Sequence, residues 1–146
     1  MEEGMTLLAL IKRDFGLGEV DLKTLSPLTL AFVGDCVYDL ILRTVIVERH
    51  NASPNRLHRE KSRLAKAPAQ AEMAEALQKH LTQEELAVYR RGRNAKSHTT
   101  DKNASVLDYR KATGLEALYG WLYLSGQETR MLELLRLSLD ELGWRL

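Results

Sequence analysis

The chain has few of the residues that crosslink or interrupt a fold. It holds one cysteine, Cys36, so neither an internal disulfide nor a thiolate metal cluster is available, and a reducing, cytoplasmic location is expected. Only 3 prolines and 9 glycines occur among 146 residues, and aromatic residues make up 6%. Apolar residues reach 45% and charged residues 28%. This composition argues against disorder and predicts a compact helical domain.

Two further absences limit the class of partner. The N-terminal apolar run from Leu7 to Ile11 is far shorter than the ~20 residues of a membrane span and follows two acids, so we expect neither a membrane segment nor an export signal. The net charge is only +1, but five Lys or Arg lie between positions 90 and 102 against one acid. A second basic cluster occupies positions 56 to 66, where Glu60 is the single acid. Such stripes predict a defined polyanion-binding face.

Helix signals cover most of the chain. Ser26-Pro27 and Ser53-Pro54 each combine a favoured N-cap with proline at the first helical position, and Thr82 with Glu85 forms a capping box. The predicted helices span residues 5–14, 26–48, 53–66, 69–80, 82–92, 103 or 105–124, and 128–142. A basic loop follows at 93–102, and the last helix is expected to turn its leucines at 132, 135, 139 and 142 inward. The prediction is one all-α domain over residues 1–146, in which 1–23 form an N-terminal helix and its connection.

The helix from Ser26 to Glu48 is apolar almost all round, yet it carries two acids in its middle. Gly34-Asp35 alone is typical of a helix boundary, but the start signal upstream favours a continuous helix in which Gly34 permits close approach by another backbone or a ligand. A buried carboxylate at Asp35 then requires a positive partner. Asp39 has a simpler explanation, because Arg43 lies one turn further on and can pair with it.

A later helix repeats this combination of an acid with a glycine. Glu116 lies among apolar neighbours, and the small residues Thr113, Ala117 and Gly120 share nearly its face. A lone glutamate of this kind is more often paired with Lys or Arg than bound to metal. Helices crossed near Gly34 and Gly120 would, however, bring Asp35 and Glu116 together, and two close carboxylates need a cation to stay ionised. Oxygen-only ligands favour Mg²⁺.

The basic segment at positions 90–98 is the third candidate element. A run of charge is usually a solvated surface, but this one also contains Asn, Ser, His and Gly, which donate to phosphate or permit close backbone approach. The candidate RNA-binding residues in it are Arg91, Arg93, Asn94, Lys96, Ser97 and His98.

These motifs together resemble those of a known enzyme family. Residues 30–37, LAFVGDCV, resemble the ribonuclease III signature, and residues 112–120, ATGLEALYG, resemble its second acidic motif. The segment 91–97, RGRNAKS, and the absence of a double-stranded-RNA-binding domain point to the Mini-III branch of that family. The family pattern normally carries acids where Ala31 and Thr113 stand and a third acid near Pro54, so only Asp35 and Glu116 transfer as catalytic residues and metal ligands.

The resemblance implies a homodimeric, Mg²⁺-dependent endoribonuclease that cuts double-stranded RNA and matures precursor 23S ribosomal RNA. It implies that the signature helices of two subunits pack together with Phe32 inserted into the partner, and that a large-subunit ribosomal protein is a further candidate partner. Asp35 and Glu116 would hold Mg²⁺ for hydrolysis that leaves a 5′-phosphate. The alternative function is a non-catalytic RNA-binding or ribosome-assembly module of the same fold, and a third is a helical dimerisation protein without RNA.

Overall fold

The computed structural model describes residues 4–96 and 105–146, and these form helices and connections without a β-strand. The helices, in chain order, are α1 (Leu7–Asp14), α2 (Pro27–Arg49), α3 (Pro54–Ala65), α4 (Ala67–Leu77), α5 (Gln83–Asn94), α6 (Val106–Leu124) and α7 (Glu128–Leu142), with a short 3₁₀ turn at Leu22–Thr24 before α2. The predicted all-α class is confirmed. None of the helices in the described parts of the chain is long and apolar enough to cross a membrane.

Local capping explains where the helices begin. The hydroxyl groups of Ser26, Ser53 and Ser105 each accept a hydrogen bond from the backbone N–H three residues later. At α5 the capping box is complete: the Glu85 N–H donates to Thr82 Oγ1 (3.1 Å), and the Thr82 N–H donates to Glu85 Oε1 (2.9 Å). The starts at Ser26, Ser53 and Thr82 were predicted from these short-range signals, and Ser105 is one of the two starts predicted for α6.

Helix α6 lies at the centre of the fold. Helices α2, α4 and α5 pack around it, α7 packs against α4 and α6, and α3 packs beside α2. Most of α6 is therefore buried, including Leu115, Leu118, Tyr119 and Leu122. Glu116, the acid of α6, consequently lies on a helix that is surrounded by α2, α4 and α5.

The prediction for the end of α5 is wrong. The helix was expected to end near Arg91-Gly92, but it continues to Asn94, so Arg93 and Asn94 are helical rather than part of a loop. Gly92 is buried, and a Cβ there would lie 2.9 Å from Gly114 Cα. Gly92 therefore permits close packing of α5 on α6 and does not terminate the helix.

The inward face of α7 also differs from the prediction. Leu135 and Leu139 are buried as expected and Leu142 is half-buried, but Leu132 is 46% exposed. Met131, Leu134 and Ser138 are buried instead. The buried stripe is thus rotated by about one residue relative to the leucine pattern.

Candidate active site

The site is built where α2 and α6 cross with their main chains in contact. A Cβ on Gly34 would lie 1.7 Å from the carbonyl oxygen of Glu116, and a Cβ on Gly120 would lie 1.9 Å from the carbonyl oxygen of Leu30. Both distances are far below any possible atomic contact, so neither position has room for a side chain. The close crossing predicted from these two glycines is confirmed.

This crossing brings the two predicted carboxyl groups together. Asp35 is exposed on α2, Glu116 on α6 is partly buried, and their side chains share a hydrogen bond. Burial raises the pKa of Glu116 to about 8, and the negative charge of Asp35 and the hydrogen bond to it contribute to the same rise. Glu116 therefore retains a proton near neutral pH, because two adjacent carboxylates repel each other unless a proton or a cation lies between them.

A third side chain, which the sequence analysis did not identify, completes this cluster. Gln70 of α4 is only 2% exposed, and its side-chain amide donates a hydrogen bond to Glu116 that opposes the rise in the pKa of Glu116. The sequence did contain a signal for it. Gln70 precedes Met73, Ala74 and Leu77 at helical packing spacing, so it is a polar residue at a core position, and a buried amide needs a partner.

The positions where the family signature has further acids hold no substitute ligand. Ala31 and Thr113 are both buried, and the Thr113 hydroxyl donates to the carbonyl oxygen of Tyr109 (3.0 Å). Pro54 is the first residue of α3. Within residues 4–96 and 105–146, no group of three or more His, Cys, Asp or Glu side chains could hold a metal ion. Two carboxylates beside an amide nevertheless fit Mg²⁺, which uses one or two carboxylates and keeps several waters.

Asp39, the other acid of α2, is neutralised by two cations. Its carboxylate accepts a hydrogen bond from Arg43 Nε and lies 3.0 Å from Lys61 Nζ of α3. Burial alone would raise the pKa of Asp39, but the hydrogen bonds from Arg43 and Lys61 outweigh burial and lower it. The predicted Asp39–Arg43 pair is confirmed, and Lys61 is an additional partner.

The candidate RNA-binding residues lie at the C-terminal end of α5. Arg91, Asn94 and Lys96 are exposed or half-buried, and Arg93 is half-buried with its guanidinium 5.8 Å from the centre of the Tyr89 ring. Because Gly92 packs against Gly114 and Ala117, this end of α5 lies beside the turn of α6 that carries Glu116. The remaining two candidates, Ser97 and His98, lie outside the described residues.

Phe32 projects from α2 on the side away from the domain core. Its side chain is 77% exposed, although it is the largest apolar group on that helix surface. It borders an open apolar hollow of about 500 Å³, which is formed by α1, α2, the end of α6 and α7 and is lined mainly by Leu7, Val33, Cys36, Val37, Leu40, Ile41, Tyr123, Met131 and Leu132. An exposed apolar patch of this kind marks an interaction surface.

Comparison with known proteins identifies the family. The ribonuclease III domain matches residues 28–127, which include both glycines and both carboxyl residues of the crossing. A Mini-ribonuclease 3 from Clostridium tetani is 42% identical over 133 residues, covering 88% of this chain and 88% of that protein. A Mini-ribonuclease 3 from Thermoanaerobacter sp. is 50% identical over 117 residues, covering 80% and 82% respectively.

A solved structure supports the fold independently. A crystal structure of a protein from Fusobacterium nucleatum superposes with a TM-score of 0.75 and covers 84% of this chain and 98% of that one, at 24% identity. The match to the domain and the extent of the similarity to these relatives lead to one conclusion. The chain belongs to the ribonuclease III family, within its Mini-ribonuclease 3 group.

Proposed function

We propose that the protein cleaves double-stranded RNA with Mg²⁺ held by Asp35 and Glu116. Membership of the ribonuclease III family makes the chain an endoribonuclease, and enzymes of that family generally depend on divalent metal ions. The observation that carries the proposal is the carboxyl pair at the glycine crossing, where the main chain of two helices sets the separation of Asp35 and Glu116. A precisely held pair of oxygen ligands is what metal-assisted phosphodiester hydrolysis requires.

The side chains of the site have separable roles in this reaction. A bound Mg²⁺ would supply Lewis-acid stabilisation of the scissile phosphate and an activated water. Asp35 is exposed and would therefore contact the substrate, whereas the amide of Gln70 donates a hydrogen bond to the partly buried Glu116. The proton on Glu116 must leave before both carboxylates can act as ligands, since a protonated carboxyl group is a poor ligand. Gln70 favours that loss because its N–H donates to the ionised form of Glu116.

Recognition of the RNA is assigned to the basic end of α5. We propose that Arg91, Arg93, Asn94 and Lys96 contact the duplex backbone, and the sequence-based prediction adds Ser97 and His98. The end of α5 that carries Arg91, Arg93 and Asn94 lies beside the Glu116 turn of α6, which supports this assignment. Contacts of this type read the shape of an A-form duplex and its phosphates rather than its bases.

A homodimer would place two such sites on one duplex. The exposed Phe32 and the adjacent apolar hollow are self-complementary features, because a two-fold axis beside α2 would let each Phe32 enter the hollow of the other subunit. We therefore expect the protein to be dimeric and Phe32→Asp to be monomeric by analytical ultracentrifugation. A Phe32→Asp protein that keeps the dimeric mass would place the interface elsewhere.

The proposed biological substrate is precursor 23S ribosomal RNA, with a large-subunit ribosomal protein as a candidate additional partner. Both proposals come from the resemblance to Mini-III enzymes. The unpaired Cys36 is compatible with the reducing cytoplasm in which such a role is expected.

The decisive experiment compares Asp35→Asn with the wild-type protein on a labelled RNA duplex, in Mg²⁺ and in EDTA. We expect wild-type cleavage in Mg²⁺ only, and no cleavage by Asp35→Asn in either buffer. Asp39→Asn is the matched control on the same helix. It breaks ion pairs that are partly exposed and worth about 1 kcal/mol or less, so this variant should cut normally.

Duplex binding without metal-dependent scission by the wild type would instead support the non-catalytic RNA-binding module, for which the absent acids at Ala31 and Thr113 argue.

A further inference from the structure

A second group of cationic side chains lies at the far end of α2, away from the carboxyl pair and from the basic end of α5. The end of α2, one side of α3 and the residues after α7 enclose an open cleft of about 440 Å³. Four guanidinium groups line it, and we call these residues the arginine cleft: Arg49, Arg59, Arg63 and Arg145.

The positive charge of the arginine cleft is not cancelled by the described parts of the chain. Arg49 and Arg59 are exposed and have no ion pair or hydrogen bond among residues 4–96 and 105–146. Arg63 donates to the carbonyl oxygen of Arg145 (2.8 Å), a neutral acceptor that orients the guanidinium without removing its charge. The cleft therefore offers oriented cationic donors to an anion from solution.

The acidic side chain that lines the cleft, Glu60, already has two other partners. Glu60 lies 2.9 Å from His50 Nε2 and 3.4 Å from Arg56 Nε, and neither partner belongs to the four arginines. Among the side chains that line the cleft, four guanidinium groups against one engaged carboxylate leave an excess of positive charge. Guanidinium forks match the geometry of phosphate oxygens, so phosphate is the ligand class that this cleft favours.

The cleft is aligned with the carboxyl pair along α2. Ile46, at the floor of the cleft, follows Asp35 by about three full helical turns, so the two residues share one side of the helix. Between them on the same side is Asp39, which forms an ion pair with Lys61 of α3. From Asp35 to Arg49 the helix rises roughly 21 Å. Because α3 covers this side of α2 at Asp39, an extended polyanion that passes over the α2–α3 pair would reach both places.

We propose that the arginine cleft binds backbone phosphates of the same RNA duplex that is cut at Asp35 and Glu116, about 20 Å from the scissile bond as measured along α2. The inference rests on the proposed function, and it adds a remote anchoring site to it. No Phe, Tyr or Trp is present among the described residues lining the cleft, so stacking on these rings is not available and the contact is to the backbone. The cleft thus favours longer duplexes without selecting a sequence.

The experiment measures binding of a fluorescein-labelled RNA duplex in EDTA as a function of salt concentration. Removal of one phosphate-binding side chain should lower the slope of log affinity against log salt by about 0.7–0.9. We expect Arg59→Gln to lower the slope by about one such step and Arg49→Gln/Arg59→Gln by up to two. The matched control is Arg136→Gln, which removes one exposed arginine from a different cleft on α7, beside Glu133 and Asp140, and should leave the slope unchanged.

A second measurement identifies the binding site as remote. The substrates are a nested series of duplexes, trimmed one base pair at a time from one end and cut in Mg²⁺. While the duplex is long enough to reach the cleft, Arg49→Gln/Arg59→Gln should cut it more slowly than the wild type does. Once the duplex is too short, the two proteins should cut at the same rate. A rate deficit that persists on the shortest cleavable duplex would overturn the remote assignment.

The outcomes separate this inference from the proposed function. If the wild type binds but never cuts, the proposed catalysis fails, while a reduced salt slope in Arg59→Gln would still support the arginine cleft. If the wild type cuts and Arg59→Gln behaves as Arg136→Gln does, the proposed catalysis stands and the arginine cleft is overturned. A wild-type protein that does not bind the duplex at all overturns both.

Discussion

Two glutamates of this protein, Glu85 on α5 and Glu116 on α6, have opposite environments although their helices pack against each other. Glu85 is 3% exposed and accepts hydrogen bonds from Arg130 Nε and Nη2 (both 2.8 Å). The hydrogen bonds from Arg130 lower the pKa of Glu85, against the effect of burial. Glu116 instead faces Asp35, and burial raises its pKa to about 8.

The difference between the two sites separates a stabilising acid from a functional one. Glu85 is paired with a cation and completes a helix cap, so its charge contributes to folding. Glu116 has a like charge and one neutral amide as neighbours, so its ionised form lacks a compensating cation within the described chain. A site that remains incomplete until a cation arrives is a candidate for metal binding, because structural acids are already satisfied.

The strongest test of this comparison substitutes each glutamate by the near-isosteric glutamine. Glu116→Gln should reduce cleavage of duplex RNA by at least about 10²–10³-fold, because one of two predicted metal ligands is removed. Its free energy of unfolding should be unchanged or higher, since a buried carboxylate beside another acid is removed. Single-turnover cleavage and urea denaturation measure the two effects.

Glu85→Gln should have the reverse profile. The loss of the charged pair with Arg130 is expected to lower the free energy of unfolding by about 2–3 kcal/mol, while the cleavage rate per folded molecule stays near that of the wild type. If Glu85→Gln lost cleavage and Glu116→Gln lost stability, the assignment of roles would be inverted.

A smaller effect is expected at the amide that supports Glu116. Gln70→Leu removes the hydrogen bond at similar volume and should weaken metal affinity or cleavage by about 10–100-fold, as is typical when a partner of a metal ligand is removed. Direct Mn²⁺ titration by electron paramagnetic resonance measures the affinity without cleavage. Gln78→Leu is the control, because Gln78 follows the end of the same helix and donates to Ala74 O (2.9 Å). Equal metal affinity in Gln70→Leu and Gln78→Leu would leave Gln70 with a packing role only.

The smallest change per step is expected in the pH dependence of stability, which differs in sign between the two glutamates. In EDTA, folded protein retains a proton on Glu116 between its ordinary pKa near 4.5 and about 8, whereas the unfolded chain releases it. Stability should therefore fall as pH rises through this window, by at most about 1.4 kcal/mol per pH unit. Glu85 acts oppositely, because the stability from its lowered pKa is present above the ordinary value and lost as pH falls.

Urea denaturation from about pH 5 to 8.5 checks this dependence, since it spans the window between the two pKa values of Glu116. The fall should be absent in Glu116→Gln and reduced when Mg²⁺ is added to the wild type, because the cation favours the ionised carboxylate. A wild-type fall that persists unchanged in Glu116→Gln would assign it to another group.

The parts of this structure that were predictable from the sequence depend on neighbouring residues. The caps at Ser26, Ser53 and Thr82 were identified because each signal lies within three residues of the group that it binds. The carboxyl pair was accessible because Gly34 and Gly120 interrupt otherwise apolar helices near an acid, and few arrangements other than a close crossing account for both.

The parts that were missed depend on partners far away in the chain. Gln70 meets Glu116 across 46 positions, and Glu85 meets Arg130 across 45, so neither contact leaves a local pattern. Gly92 was assigned to a helix end because glycine usually breaks a helix, and only the position of Gly114 on α6 reveals why the helix continues.

The crossing of α2 and α6 also limits how this protein can change over evolutionary time. A side chain at Gly34 or Gly120 would collide with a main-chain carbonyl oxygen, and that atom is present whatever residue occupies the opposite position. No second-site substitution can therefore restore the space, unlike a clash between two side chains, which a smaller neighbour relieves. Neither position can therefore accept another residue while the crossing is kept, and homologues with this crossing should have glycine at both positions.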